Sequence, residues 1–426
     1  MDRVLFRNAM IWDGSGAPPC PGDVLVEGRR ISAVARQTGQ LRLDGAQVID
    51  AGGRTLMPGL VEGHAHLSFD GAVKNSDLGD IPPEEHVLIT ARNAKILLDH
   101  GFTSAYSAAS AKLRLDVVVR NEIEAGRLPG PRLRASGPEI TVTAGLGDEN
   151  QLHMHRESFG MIADGPDEIV RAVRLCARER VDNIKLNISG DDFVPSAKGG
   201  ATVMREIEVA AAVEVAHDFG KKVNCHARAA ASIKRAVRCG VDVIYHSESA
   251  DEEALDMLEA AKDRVFVGPA IGLIHNTLYE AEAFGITREK AISLGMQRVI
   301  ESSSIAYSEL RRRGVRALIG GDYGFAWVPQ GTNARDLQHF VNLLGYSPSE
   351  ALVCGTRFGA EVMGMGGQLG QVKEGFLADL LLVDGDPLKD LSIMVDADKL
   401  LVIMKDGAIY KNEAARASHQ HPMAAE

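Results

Sequence analysis

The apolar positions of this chain fall into two regimes. Near both ends they form short alternating runs cut by turn residues. Val4-Leu5-Phe6, Met10-Ile11-Trp12, Val24-Leu25-Val26 and Ile31 to Val34 are separated by Asp13-Gly14, Gly22-Asp23 and Glu27-Gly28-Arg29. Residues 378–383, 400–404 and 408–410 repeat the pattern after the turn-rich segments of the C-terminal part. Neither set can bury a core alone, so both are predicted to pair into one small β-sandwich built from residues 1–55 and 368–412. The polar, Ala-rich stretch 413–426 is predicted to fray. Between these ends, near-continuous apolar runs at 56–62, 102–107, 132–140, 183–188, 222–227, 241–246, 263–270 and 316–321 read as buried strands. Helical periods at 84–99, 110–126, 166–180, 203–219, 229–238, 251–261 and 288–313 lie between most of them, and 334–345 and 348–362 follow the last. Eight strand–helix units in order predict an α/β fold, a (β/α)8 TIM barrel over 56–367. An open doubly wound sheet is the alternative. No Gly-rich phosphate fingerprint follows the first strand, which disfavours a nucleotide-binding version. The connections 141–165 and 271–287 are long and are expected to serve as lids or binding loops.

Composition narrows the partners. The 426 residues carry 47 Lys+Arg against 58 Asp+Glu, so 47 − 58 gives a net charge of −11. An acidic chain without basic runs argues against nucleic acid, and no apolar run is long enough to span a bilayer. The first residues show neither an apolar leader core nor a small-residue cleavage site. Cys20, Cys176, Cys225, Cys239 and Cys354 are scattered, with no C-x-x-C, and read as reduced thiols. Together these suggest a cytoplasmic protein acting on a small molecule.

In a barrel, chemistry sits where the strands end. The first strand ends in Gly63-His64-Ala65-His66, whose two imidazoles project together if the segment is extended and can close on one metal ion. The fourth, Asn183 to Asn187, holds Lys185 inside an apolar run. The fifth ends in Asn224-Cys225-His226, the sixth in Ile244-Tyr245-His246 and the eighth in Gly320-Gly321-Asp322. Singly, His226 or His246 reads as a hydrogen-bonded core histidine, and Asp322 as a cap. Lys185 is harder to explain that way, because a buried ammonium is costly unless paired or neutralised. A buried lysine that loses its proton can react with CO2 to give an anionic carbamate able to bridge two metals. In this order, four histidines, a lysine and an aspartate point to a metal centre.

The pattern resembles the amidohydrolase superfamily over nearly the whole chain. Pro58-Gly59-Leu60-Val61-Glu62-Gly63-His64-Ala65-His66 is similar to its first-strand signature, and Lys185, His226, His246 and Asp322 match its later ligand positions. Gly370, Glu374-Gly375 and Ala378-Asp379-Leu380 match its flanking sandwich. The resemblance implies two divalent ions, most simply zinc, with cobalt, nickel or manganese fitting the same ligands. It places His64, His66 and Asp322 on the more buried ion, His226 and His246 on the second, and a carboxylated Lys185 between them. A bridging hydroxide is then the nucleophile, with Asp322 as proton shuttle. A homo-oligomer is also expected. Ile184 to Gly190 is similar to the lysine strand of dipeptidase-like and ochratoxinase-like members, and phenylurea and thiocarbamate hydrolases are similar too. One departure stands out: Thr143-Ala144-Gly145-Leu146-Gly147-Asp148 has leucine where dipeptidases carry a substrate-contacting histidine, which His153 or His155 could replace. Arg228 is a candidate for holding a substrate carboxylate or, equally, an idle helix-start arginine. Asn187, Tyr245 and Tyr323 are candidate oxyanion donors or supports of the ligands, His275 a candidate substrate contact, and Phe325 and Trp327 a candidate apolar wall. The expected activity is hydrolysis of a C–N bond in an amide, urea or carbamate-like small molecule. A mononuclear deaminase or cyclic-amidine hydrolase is the alternative on the same fold, disfavoured by alanine at position 229, where a deaminase carries glutamate. A non-catalytic scaffold is the other; such barrels tend to lose ligands, and here every ligand position is filled.

Overall fold

The computed structural model describes residues 3–42 and 45–414. The expected tail therefore lies, from residue 415 onward, outside the described residues.

Two layers of organisation follow the two hydrophobic regimes. The terminal strands join in one eight-stranded sheet, in the order 408–412, 400–405, 380–383, 55–58, 3–11, 20–27, 30–35, with 47–50 also pairing along 3–11. The sheet curls back on itself. Its edge strand Arg30–Ala35 meets the approach to Leu380–Val383, with Ile31 N–H donating to Phe376 O at 2.9 Å and Ala378 N–H to Arg29 O at 2.9 Å. Phe6, Val24, Ile31, Leu382, Val402 and Met404 fill the space inside. The other face, with Leu381, Val383, Leu400 and Ile403, joins the main core. A half-buried ion network, Arg132 to Asp379 at 2.7 Å and to Asp406 at 2.7 Å, ties the third barrel strand to this sheet.

The run 56–62 is not one strand. Thr55–Pro58 pairs antiparallel with Leu380–Val383 in the small sheet, and the first barrel strand is Leu60–Ala65. Pro58 and Gly59 make the break, because a side chain at Gly59 would lie 2.2 Å from Thr103 Oγ1.

The barrel strands are parallel. Leu60–Ala65, Phe102–Ser107 and Arg132–Arg134 form one sheet. Ser136–Thr141, Asn183–Asn187, Lys222–Ala229, Val243–Ser249, Phe266–Gly268 and Arg316–Ala317 form the other, with Gly160–Ile162 at its edge. Segment 132–141 contributes to both sheets, and Gly63 N–H donates to Ile319 O at 2.9 Å, bringing the last segment against the first. This is the expected (β/α)8 plan. The last strand is shorter than the apolar run suggested: after Leu318 N–H donates to Val267 O at 2.8 Å, residues 319–322 lie outside any strand as they approach the site.

Two helix expectations change. The connection 271–287 contains a helix, Ile271–Tyr279, whose Ile271, Ile274 and Leu278 pack with Ala291, Met296 and Val299. Its apolar residues surround the helix so fully that no polar face marked it. Segment 288–313 is two helices, Arg288–Ser293 and Met296–Arg312, broken at Gly295 with φ 88°. No helix of the described residues is long and apolar enough to cross a membrane.

Candidate metal centre

The ends of the first, fourth, fifth, sixth and eighth strands converge as the barrel requires. His64, His66, Lys185, His226, His246 and Asp322 line one small pocket of about 50 Å³. That is room for roughly one or two water-sized groups. His66 Nε2 lies 3.2 Å from Asp322 Oδ1, and His64 Nε2 lies 4.0 Å from the same oxygen. The ligand atoms of these three residues all lie within 4.8 Å of one another. The His226 and His246 ring centroids are 4.1 Å apart, and His246 lies 5.8 Å from His64.

The backbone is shaped to bring these groups together. Asp322 and His246 sit in the left-handed region, at φ 63° and 75°. Such conformations cost a non-glycine residue of order 1–3 kcal/mol and persist where the surroundings enforce them. Gly320 allows the closest approach: a Cβ there would lie 2.4 Å from His64 Cβ.

Hydrogen bonding sorts the imidazole nitrogens. His66 Nδ1 meets Ala109 O at 3.0 Å, and His226 Nε2 meets Gly190 O at 3.0 Å. Each carbonyl fixes one nitrogen as a donor and leaves the other as an acceptor, the arrangement typical of metal-binding histidines. Both nitrogens of His64, and Nδ1 of His246, are buried without a hydrogen-bond partner. Buried polar atoms are otherwise almost always paired. The donor set therefore fits a divalent metal ion. Burial, reinforced by neighbouring cations, holds His226 down at about 3, and burial likewise holds His64 and His246 well below the usual imidazole range. These rings are thus neutral, as ligation requires. Burial alone would raise the Asp322 carboxyl; with the rings neutral, Lys185 is the cation beside it that draws it down.

The supporting residues are held by specific contacts that decide between the readings open for them. Arg228 is not an exposed helix-start residue. It is buried, with Nε 2.8 Å from Asp191 and Nη1 2.9 Å from Glu248, and so is engaged by two carboxylates rather than free for substrate. Tyr245 is not placed as an oxyanion donor: its hydroxyl donates to Gly63 O at 2.6 Å while its ring stacks on His64 at 3.8 Å, so it braces the first strand. Tyr323 likewise donates to Asp336 at 3.1 Å, and Asn187 donates to Leu146 O at 2.9 Å and to Glu139. His275 faces Tyr279 and His339, away from the pocket. Leu146 does line the pocket, while His155 stands on the wider cavity outside it.

Glu139 was not singled out from the sequence. It is buried at the end of the third strand, with Oε1 3.9 Å from Lys185 Nζ. The signal was present: a carboxylate inside the apolar run 132–140 is as anomalous as Lys185 in its own. Glu62 and Asp336 behind the site are pushed up to about 8 and about 7, chiefly by burial, Glu62 also by its neighbour Asp336.

The amidohydrolase family profile matches residues 55–410, spanning the barrel, the six candidate ligands and the returning strands of the small sheet. The chain belongs to the amidohydrolase family. As an amidohydrolase it is a hydrolase of C–N bonds. It is 27% identical over 376 residues to the ochratoxinase of Aspergillus niger, covering 84% of this chain and 75% of that protein. A solved amidohydrolase structure superposes with TM-score 0.86 at 28% identity, over 96% of this amidohydrolase and 99% of the other. A Xaa-Pro dipeptidase with bound methionine gives TM-score 0.85 at 25% identity, over 96% and 100%.

Proposed function

We propose that this amidohydrolase is a metal-dependent amidase that cleaves the C–N bond of an amide, urea or carbamate-like small molecule. The observation that carries the reading is the set of buried imidazole nitrogens without partners around Asp322. His64, His66 and Asp322 would hold one divalent ion, His226 and His246 a second, and a carboxylated Lys185 would join both. When bound, the ions supply a Lewis acid and a water acidic enough to attack a carbonyl. Asp322, kept ionised, accepts the proton released at attack and returns it to the leaving nitrogen. The carbonyls of Ala109 and Gly190 hold the His66 and His226 rings in register, and Tyr245 holds His64. The walls of Phe69, Phe159, Leu146 and Phe325 exclude bulk water.

One observation favours a second reading. Glu139 lies 3.9 Å from Lys185, a spacing that suits an ammonium–carboxylate pair. Lys185 would then remain unmodified and the site would hold a single ion. Metal stoichiometry separates the two.

The test of hydrolysis is a panel of N-acyl amino acids, anilides, phenylureas and carbamates with metal-loaded protein, together with His64→Ala and Asp322→Asn. Both variants should lose about 10²–10⁴ in turnover, with unchanged circular dichroism. Full turnover in both would remove the assignment.

A further inference from the structure

The metal pocket and the larger cavity outside it meet at a neck with one polar side chain. Asn75, Phe193, Leu273 and Phe325 line both spaces, the inner of about 50 Å³ and the outer of about 880 Å³. We infer that Asn75 is a specificity-determining residue whose carboxamide hydrogen-bonds a second carbonyl group of the substrate, beside the scissile C–N bond. The inference rests on the amidase reading above and deepens it.

Position comes first. The inner pocket holds the six candidate ligands and, in the amidase reading, the ions as well. It has room for the reacting group and little more, so the rest of a substrate passes through the neck. The scissile carbonyl and nitrogen are served at the inner end, by the ions and by Asp322. Glu139 and Asp191, which also line that end, are engaged by Asn187 and Arg228. The next polar atoms of the substrate are those that reach Asn75. In a peptide-like chain successive units lie about 3.8 Å apart. A substrate seated among Phe193, Leu273 and Phe325 displaces water from Asn75. A carboxamide enclosed without a partner is costly, and it can both donate and accept. A carbonyl, alone or within an amide, completes it.

Asn75 is also braced. It opens the short helix Asn75–Asp80. Asp77 accepts from the N–H groups of Val73 and Lys74 at 3.0 and 2.9 Å, and Ala326 N–H donates to Ala72 O at 3.0 Å. The buried Lys112 donates to Gly79 O at 2.7 Å. Leu78 packs with Phe69, Leu146 and Phe159. A Cβ at Gly79 would lie 1.9 Å from Glu157 O, so the helix is seated closely on that segment. The Asn75 carboxamide is half-buried and bonds nothing among the described residues. A group held in place beforehand binds with little further ordering.

The test uses two matched pairs, because the second carbonyl can lie on either side of the scissile bond. N-acetylphenylalaninamide and N-acetylphenethylamine differ by a carboxamide on the amine side, read as acetate release. N-acetylglycine anilide and pentananilide differ by CO–NH in place of CH2–CH2 on the acyl side, read as aniline release. With metal-loaded wild type, kcat/KM in at least one pair should be at least about tenfold higher for the member with the second carbonyl. Asn75→Ala and Asn75→Leu should shrink that ratio to within about twofold and change the other member by less than about threefold. KM rather than kcat should carry the loss, with metal content and circular dichroism as in wild type. A loss shared equally by both members, or a wild type that prefers neither, overturns the inference and leaves the amidase reading intact. Failure to cleave any amide, anilide, urea or carbamate overturns both.

Discussion

Two clusters of buried polar side chains lie side by side in this amidohydrolase, joined by His226. On one side, Arg228, Asp191 and Glu248 are nearly inaccessible, and the arginine is bonded at 2.8 and 2.9 Å to its two carboxylates. On the other, His64, His66 and His246 are at least as deeply placed and Asp322 is nearly so, yet both nitrogens of His64 and one of His246 meet nothing. His226 belongs to both: its Nε2 bonds Gly190 O and lies 3.6 Å from Asp191, while its ring packs on His246. The difference separates structure from function. The Arg228 guanidinium is paired with two carboxylates, although Glu248 Oε2 is itself buried without a partner, whereas the His64 ring meets nothing at either nitrogen; a buried polar atom left unpaired costs stability that a ligand can restore.

That contrast can be broken from either side. The largest stability effect is expected at the satisfied cluster. Arg228→Ala leaves two buried carboxylates without their cation and should cost about 3–5 kcal/mol, read from denaturant midpoints of the metal-free protein. Asp322→Asn, in the unsatisfied cluster, should change the same midpoint far less while abolishing turnover. Equal losses in the two variants would show that the clusters do not differ in kind. Gly320→Ala comes next. Its methyl group would overlap His64 Cβ, so the first strand must shift, at a cost of about 1–3 kcal/mol. Metal affinity should fall with it by roughly 10–100-fold, measured by competition with a chelator. The most gradual effect is a pH dependence. His226 titrates at about 3 in the fold and near 6.5 unfolded. Between those values the unfolded chain binds the extra proton, so this ring's contribution to stability is present above pH 6.5 and is lost as pH falls towards 3. In metal-free protein, the stability advantage of wild type over His226→Asn should shrink across that window, by at most about 1.4 kcal/mol per pH unit. An advantage that is flat or grows on acidification would contradict the neutral, buried placement of His226.

The fold was legible because its signals are long. Eight apolar runs, separated by helical periods, survive errors of several residues at each boundary. The six candidate ligand positions were legible for a related reason: each is a polar residue in or at the end of an apolar run, where burial without function is hard to sustain. What the residues could not show was pairing. Arg228 looks exposed because it opens a helix; its burial follows from Asp191 and Glu248, which are 37 and 20 residues away. Tyr245 reads as an available hydroxyl, but the carbonyl of Gly63, 182 residues earlier, accepts its hydrogen bond. The helix Ile271–Tyr279 stayed hidden because it is apolar on nearly every side, so periodicity had no polar face to register. Glu139 was within reach of the same reasoning that found Lys185.

The most direct test of the central claim, that the unpaired histidines await metal, is the metal content per chain of protein purified without chelator and without added metal. It should be combined with intact mass under mild conditions. The account predicts about two divalent ions per chain, with the mass of one added CO2 on Lys185. Protein that carries no metal, and takes up none when soaked with zinc, cobalt, nickel or manganese, would contradict it.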